Sequence, residues 1–161
     1  MNSGHMLLTI AGMLLLSNLI LNVNKANTER MIATYTSESV INAAGLAQSI
    51  IDEIQTKAFD ENTITTAVSK TELLTPVSDL GPEPGEAKNT DFDDIDDYNN
   101  YTTEIILDRM GDFDLKVKIS YVNTSNPNIL SSSSTFSKHV EVLVTNYSLM
   151  DTLKFNHIIS Y

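Results

Sequence analysis

Five aspartates lie within the seven residues from Asp91 to Asp97, and they are the side chains best suited to site chemistry in this chain. Hard cations such as Ca2+ are bound by several carboxylate and carbonyl oxygens. The run therefore predicts a calcium site with four candidate ligands: Asp93, Asp94, Asp96 and Asp97. An EF-hand is excluded, because with Asp91 in its first position no glycine occupies the sixth. The alternatives left open are a solvated acidic loop, or carboxylates that cap turns and strand ends.

Patterns for catalysis are weak elsewhere in the chain. A serine run at 131–134 lies near His139, but neither a nucleophile elbow nor an oxyanion glycine pattern accompanies it. Asp93 and Asp96 would need a substrate cleft to act as a glycosidase pair, and so small a sheet implies none. There is no P-loop or dinucleotide fingerprint. We therefore predict that the protein is not an enzyme and carries no cofactor other than calcium.

The charge of the chain limits its partners. Its 21 Asp and Glu residues against 10 Lys and Arg residues give a formal net charge of -11. Such a charge repels nucleic acid and anionic membrane surfaces, and no basic cluster in the sequence offsets it. The sequence therefore argues against a nucleic-acid partner. Cysteine is absent, so disulfide and thiol chemistry are excluded as well.

The elements that position these residues begin with an apolar segment from Met6 to Val23, ahead of the first charged side chain, Lys25. A helix of that length reaches about 27 Å, enough to cross a thin hydrocarbon core. A cleaved signal peptide normally has a basic start and a small-x-small cleavage site, and neither is present here. A buried core helix would need a large partner surface. The segment therefore favours a transmembrane helix or the core helix of a filament.

Beyond Lys25 the apolar residues recur largely at three- and four-residue spacing as far as Ile54, which indicates an amphipathic helix half. No proline precedes Pro76, so we predict one continuous helix from about Met6 to Ala58. Proline, glycine and the acidic residues then predict an irregular connecting region.

The last third of the chain has the composition and alternation of β-strands. We predict four strands: Thr102 to Leu107, Leu115 to Val122, His139 to Asn146 and Leu153 to Tyr161. Asn123 to Asn128 is predicted as a turn. The third strand alternates almost strictly, and Val140, Val142 and Val144 are its candidates for the buried face.

These elements predict an α+β fold, in which a long N-terminal helix lays its amphipathic half on a C-terminal antiparallel sheet. Four regions follow from the pattern. Residues 1–24 hold a short leader and the apolar helix half, and residues 25–58 hold the amphipathic half. Residues 59–101 form the acidic connecting region, and residues 102–161 form the sheet.

This layout resembles that of the type IV pilin superfamily, which includes type IV pilins and the pseudopilins of type II secretion. The residues that carry the resemblance are Gly4 followed by Met6 to Val23, and the acidic segment from Phe92 to Tyr98. The resemblance implies a leader that is cleaved between Gly4 and His5. Thr9 would then stand at the fifth mature position, where typical members have a Glu.

The resemblance also implies a function. The protein would be a structural subunit of an extracellular filament or a secretion pseudopilus, polymerising through the apolar helix, with these assembly residues: Leu8, Thr9, Met13, Leu16 and Ile20. It would reside in the inner membrane before assembly and then in a periplasmic pseudopilus or an extracellular filament. Its partners would be copies of itself or other pilin-like subunits. The alternative is a single-pass anchored, extracytoplasmic interaction module that does not polymerise.

Overall fold

The computed structural model describes residues 3–161, and Met1 and Asn2, the first part of the predicted leader, lie outside the described residues. Within that range the fold is α+β, as the sequence predicts. One long helix, α1 (Ser3–Gln55), is followed by four short 3-10 turns and then by five strands. The 3-10 turns are Glu61–Thr63, Thr71–Leu73, Val77–Asp79 and Asp96–Tyr98.

Helix α1 ends at Gln55, three residues before the predicted end at Ala58. The reason is a competing set of backbone hydrogen bonds. The amide of Ala58 donates to the carbonyl of Asp93 at 3.0 Å, and the amide of Ile95 donates to the carbonyl of Ala58 at 3.0 Å. Ala58 therefore pairs with the acidic segment in a parallel bridge instead of extending the helix.

The helix contributes to two units of the molecule, one up to Glu38 and one from Ser39 to Tyr161. In the second unit its buried side chains recur at helical spacing: Ser39, Ala43, Ala47, Ile50, Ile51 and Ile54. Ala43 and Ala47 are completely buried. The helix from Ser39 to Gln55 is thus the part that belongs to the same unit as the sheet.

The sheet is antiparallel throughout. Its strands are β1 (Thr102–Leu107), β2 (Gly111–Asn123), β3 (Asn126–Leu130), β4 (Ser137–Thr145) and β5 (Leu153–Ser160). The order is β1-β2-β4-β5, and β3 pairs with the end of β2. All four predicted strands are present within the described chain. Strand β3 covers part of the region predicted as a turn, because the actual turn between β2 and β3 is only two residues long.

The core lies between the helix and the inner face of the sheet. Alternate residues of β2 and β4 point into it, and each is nearly or completely buried: Phe113, Leu115, Val117, Ile119, Tyr121, Val140, Val142 and Val144. The alternation of β4 thus places the three valines on the buried face, as predicted. In register, Val117 lies opposite Val142 and Ile119 opposite Val140, which brings β-branched pairs together across the two central strands.

The connecting region from Phe59 to Tyr101 packs against this core. Phe92, Ile95 and Tyr98 are buried. The Phe92 and Tyr98 rings meet edge to face at a centroid distance of 5.0 Å, a geometry that adds to simple burial. The Tyr98 hydroxyl donates to Glu53 Oε1 of the helix at 2.7 Å. The acidic segment is therefore held between the helix and the sheet.

Candidate functional site: an apolar helix and an acidic cluster

The first candidate site is the apolar part of α1. Its most apolar 18-residue window has a mean hydropathy of 2.0, and none of that window is buried in the described chain. By length and composition this segment is a candidate membrane span. Among the predicted assembly residues, Leu8, Met13, Leu16 and Ile20 are each more than half exposed. A large apolar surface thus lacks cover in the isolated chain, which points to a lipid or protein environment.

Four of the predicted assembly residues share one face of this segment. Thr9, Met13, Leu16 and Ile20 follow one another at spacings of four, three and four residues, which is the period of a single helix face. Leu8 lies off this line. The predicted cleavage position, between Gly4 and His5, lies inside the helix.

Polar side chains in the apolar segment bond to the helix itself. The Thr9 hydroxyl donates to the Met6 carbonyl at 2.8 Å, and the Ser17 hydroxyl donates to the Met13 carbonyl at 2.8 Å. The Asn18 amide donates to the Leu14 carbonyl at 2.9 Å. Such bonds lower the cost of placing hydroxyl and amide groups in an apolar medium.

The second candidate site is the aspartate run, which the structure does not bring to one point. Asp93 is exposed, whereas Asp94, Asp96 and Asp97 are almost completely buried. The interpretation as a solvated loop is therefore wrong for these three. The capping role holds for two of them. Asp94 Oδ1 accepts hydrogen bonds from the amides of Asp96 and Asp97, and Asp97 Oδ2 accepts from the amides of Asp93 and Asp94.

Asp96 faces a buried lysine. Lys138 is fully buried, and its ammonium donates to Asp96 Oδ1, to Asp60 Oδ2 at 3.3 Å and to the Phe59 carbonyl at 2.6 Å. The Lys138 Nζ atom also lies 4.7 Å from the centre of the Phe59 ring and 5.3 Å from that of Tyr121. All three donors of the ammonium thus have acceptors, which is what a buried charge requires.

Asp60 is the second carboxylate of this ion cluster. Burial alone would raise the pKa of Asp60. Attraction to Lys138 and hydrogen bonds from the Thr75 amide, the Tyr121 hydroxyl and the Asn62 amide outweigh that effect and leave its pKa lowered. The fold is therefore stabilised by the ionised form of Asp60. The contacts join the connecting region to strands β2 and β4, and they give the cluster a structural role.

This ion cluster predicts a loss of stability in acid. Because the pKa of Asp60 is lowered, its contribution is present above its ordinary pKa and is lost as the pH falls below about 4. We expect Asp60→Asn to be less stable by about 1 to 3 kcal/mol at neutral pH and to lose less stability on acidification. Urea unfolding measured at several pH values checks this. The control is Asp108→Asn at an exposed position, and its stability should depend on pH as that of the wild type does. If Asp60→Asn lost as much stability in acid as the wild type, the stabilising role of ionised Asp60 would be contradicted.

Three further carboxylates lie together: Glu83, Glu86 and Asp97. One oxygen from each lies within 4.8 Å of the other two. Burial raises the pKa of Glu83 to about 8, with additional contributions from Glu86 and Asp97. Burial, followed by the charge of Asp96, raises the pKa of Asp94 to about 9. Both shifts favour the protonated carboxyl, because burial and the neighbouring carboxylates disfavour a further negative charge in these environments.

Sequence reasoning missed Lys138, Asp60, Glu83 and Glu86. For Lys138 a signal was available, because it stands two residues before Val140 and hence in phase with the buried valines of β4. For Glu83 and Glu86 the signal was the intervening Pro84-Gly85, which favours a tight turn that brings their side chains together. Asp60 has a local role as the N-cap of the 3-10 turn Glu61–Thr63, where it accepts from the Asn62 amide. Its contacts with Thr75, Tyr121 and Lys138 are distant in sequence and leave no local pattern.

The serine run and His139 are engaged separately. Ser134 donates to the Thr75 carbonyl at 3.0 Å, and a ring nitrogen of His139 lies 3.0 Å from the side-chain oxygen of Asn156. Comparison of the chain with family models, with curated proteins and with solved structures finds no match.

Proposed function

We propose that this protein is a structural subunit of a type IV pilus-like extracellular filament or of a secretion pseudopilus, polymerising through the apolar part of α1. The observation that carries the proposal is the difference in burial between the two parts of helix α1. Its apolar segment is uncovered, whereas from Ser39 onwards its small and β-branched residues are buried on an antiparallel sheet. In such a helix one part can exchange lipid contacts for contacts with neighbouring helices, and the other part carries a folded unit.

The energetics of assembly fit such a segment. Moving Leu, Ile and Met side chains from lipid tails to neighbouring helices changes their apolar environment little, so packing has to supply the affinity. Small residues permit that packing because they let helix backbones approach. Gly12 has no neighbouring atom within 4 Å of the place where a Cβ would stand, so this part of the helix surface is open to a partner.

In this proposal the subunit resides in the inner membrane before assembly and is then taken up into a periplasmic pseudopilus or an extracellular filament. Its partners are copies of itself or other pilin-like subunits. The role is structural rather than enzymatic.

One observation favours the alternative of a single-pass, non-polymerising anchor. Thr9 stands where typical members of the resembled superfamily carry a carboxylate, and its hydroxyl is already bonded to the Met6 carbonyl. Thr9 thus offers no charge to pair with the terminal amine of a neighbouring subunit.

Electron microscopy of material sheared from the cell surface, with identification of its polypeptides, separates the two functions. We expect helical fibres that contain this polypeptide. Because polymerisation rises with subunit concentration, the experiment is repeated with the subunit produced in excess. Recovery of the polypeptide only as a monomer in detergent extracts of membranes, with no fibres under either condition, would favour the anchor.

A further inference from the structure

A tight turn brings Glu83 and Glu86 side by side. The Glu86 amide donates to the Glu83 carbonyl at 3.1 Å, and the Glu83 amide donates to Glu86 Oε2 at 3.1 Å. Pro84 and Gly85 occupy the centre of the turn, and Gly85 has a φ of 122°, the positive value that glycine permits. The backbone therefore places two carboxylates together although their charges repel.

Asp97 supplies the third carboxylate from a different element, the 3-10 turn Asp96–Tyr98. Asp97 is only 1% exposed, and its Oδ2 is held by the amides of Asp93 and Asp94 at 2.9 and 3.1 Å. Its Oδ1 is buried and has no hydrogen-bond partner within residues 3–161, and the same is true of Glu83 Oε2. Buried oxygens without a donor are costly, and a ligand is one way to satisfy them.

The spacing of the three groups suits a single ion. Two oxygens bound to one Ca2+ at 2.3–2.6 Å are separated by at most about 5 Å. The candidate oxygens of Glu83, Glu86 and Asp97 lie within 4.8 Å of one another. Further acidic groups face the cluster. Burial raises the pKa of Glu61, and the charges of Asp93 and Glu86 raise it further, so acidic residues of the neighbouring elements add to the negative potential.

We propose that Glu83, Glu86 and Asp97 bind one Ca2+ ion, which ties the turn at Pro84-Gly85 to the buried acidic segment. The ligands are all carboxylate oxygens, which suit a hard cation, whereas zinc sites favour His and Cys. Glu83 and Glu86 are only partly buried, so they leave room for water and for bidentate contacts. That variable geometry suits Ca2+ better than Mg2+, which requires a strict octahedron.

The proposed site differs from the one expected from the aspartate run, since Asp97 alone is common to both. Asp96 Oδ1 pairs with Lys138, Asp94 Oδ1 caps the following amides, and Asp93 is exposed. The Oδ2 atoms of Asp94 and Asp96 are also buried without a hydrogen-bond partner within residues 3–161, but the three carboxylates with oxygens within 4.8 Å of one another are Glu83, Glu86 and Asp97. The ion would act structurally by holding the turn at Pro84-Gly85 beside the 3-10 turn Asp96–Tyr98. It lies within the unit from Ser39 to Tyr161 and does not depend on whether the protein polymerises.

The test uses the full chain in detergent, freed of metal with a chelator and titrated with CaCl2 in a calorimeter. We expect one Ca2+ per chain, a rise in thermal midpoint on addition of Ca2+ and weaker binding of Mg2+. Glu83→Gln and Glu86→Gln should each weaken Ca2+ binding roughly tenfold or more. Both variants keep the shape of the side chain, and Asp97 is left intact because its Oδ2 holds two backbone amides.

The matched control is Glu104→Gln, which removes an exposed carboxylate from β1 and should bind Ca2+ like the wild type. Absence of Ca2+ binding by the wild-type chain would overturn the proposal. So would Ca2+ binding that survives the double variant Glu83→Gln/Glu86→Gln unchanged, since another site would then be responsible. Tighter binding of Mg2+ than of Ca2+ would overturn the choice of ion.

Discussion

Replacement of Lys138 by methionine is expected to lower the free energy of unfolding by about 3 to 5 kcal/mol, a large part of the total stability of a domain of this size. Methionine fills a similar volume but removes the only described ion-pair partner of Asp60 and Asp96. Both carboxylates are completely or almost completely buried, so each would be left as a charge without a counterion or would have to take up a proton.

A second substitution should reverse part of the loss of stability caused by Lys138→Met. Adding Asp96→Asn to Lys138→Met removes one of the two buried carboxylates that lack a counterion, and it should restore part of the lost stability. Lys118→Met, at an exposed position of β2, is the control and should change stability by no more than about 0.5 kcal/mol. Because the chain has no tryptophan, urea unfolding is best followed by circular dichroism. A Lys138→Met chain as stable as the wild type would show that the ion cluster is not a stabilising element.

Gly12→Leu is expected to reduce the yield of surface filaments roughly tenfold or more while leaving the amount of subunit in the membrane unchanged. In the isolated chain a side chain at this position meets no atom within 4 Å, and leucine favours the helix over glycine by about 0.8 kcal/mol. The substitution also makes the segment more apolar. Fold and insertion should therefore be preserved, and only the approach of a neighbouring helix should be obstructed.

A graded series makes the result interpretable. Gly12→Ala adds one methyl group and should give an intermediate yield, whereas Leu15→Met conserves size and should behave like the wild type. Filaments are counted by electron microscopy, and subunit in the membrane fraction is measured by immunoblotting. Equal filament yields in all three variants would mean that assembly does not bring helices together at Gly12.

Most of the fold could be predicted because its signals are local. The alternation of Val140, Val142 and Val144 fixes the inner face of β4, and the absence of proline before Pro76 permits one long helix. Strand β3 could not be predicted in this way, since every residue from Asn126 to Leu130 is exposed and no alternation marks it. The helix end was misplaced for a related reason, because Ala58 is drawn into pairing with residues far along the chain.

The candidate sites also differ in whether local sequence or distant contacts determine them. Composition alone identifies the apolar segment and the unusual density of aspartates. The direction of each aspartate depends on contacts distant in sequence, as when Asp96 meets Lys138 across 42 residues. Periodicity places Lys138 on the inner face of β4, but only the folded chain shows that two carboxylates lie opposite it. Long-range pairing of this kind leaves no local pattern to detect.

The central claim is that the apolar part of α1 is kept in the working protein as its assembly element. Mass spectrometry of the N-terminal peptide of the polypeptide recovered from sheared surface filaments, or from the assembled pseudopilus, tests it most directly. The account predicts a product that retains Met6 to Val23, beginning at His5 if the leader is cleaved after Gly4. A mature product that begins beyond Asn24 would contradict it, because the segment proposed to join the subunits would have been discarded.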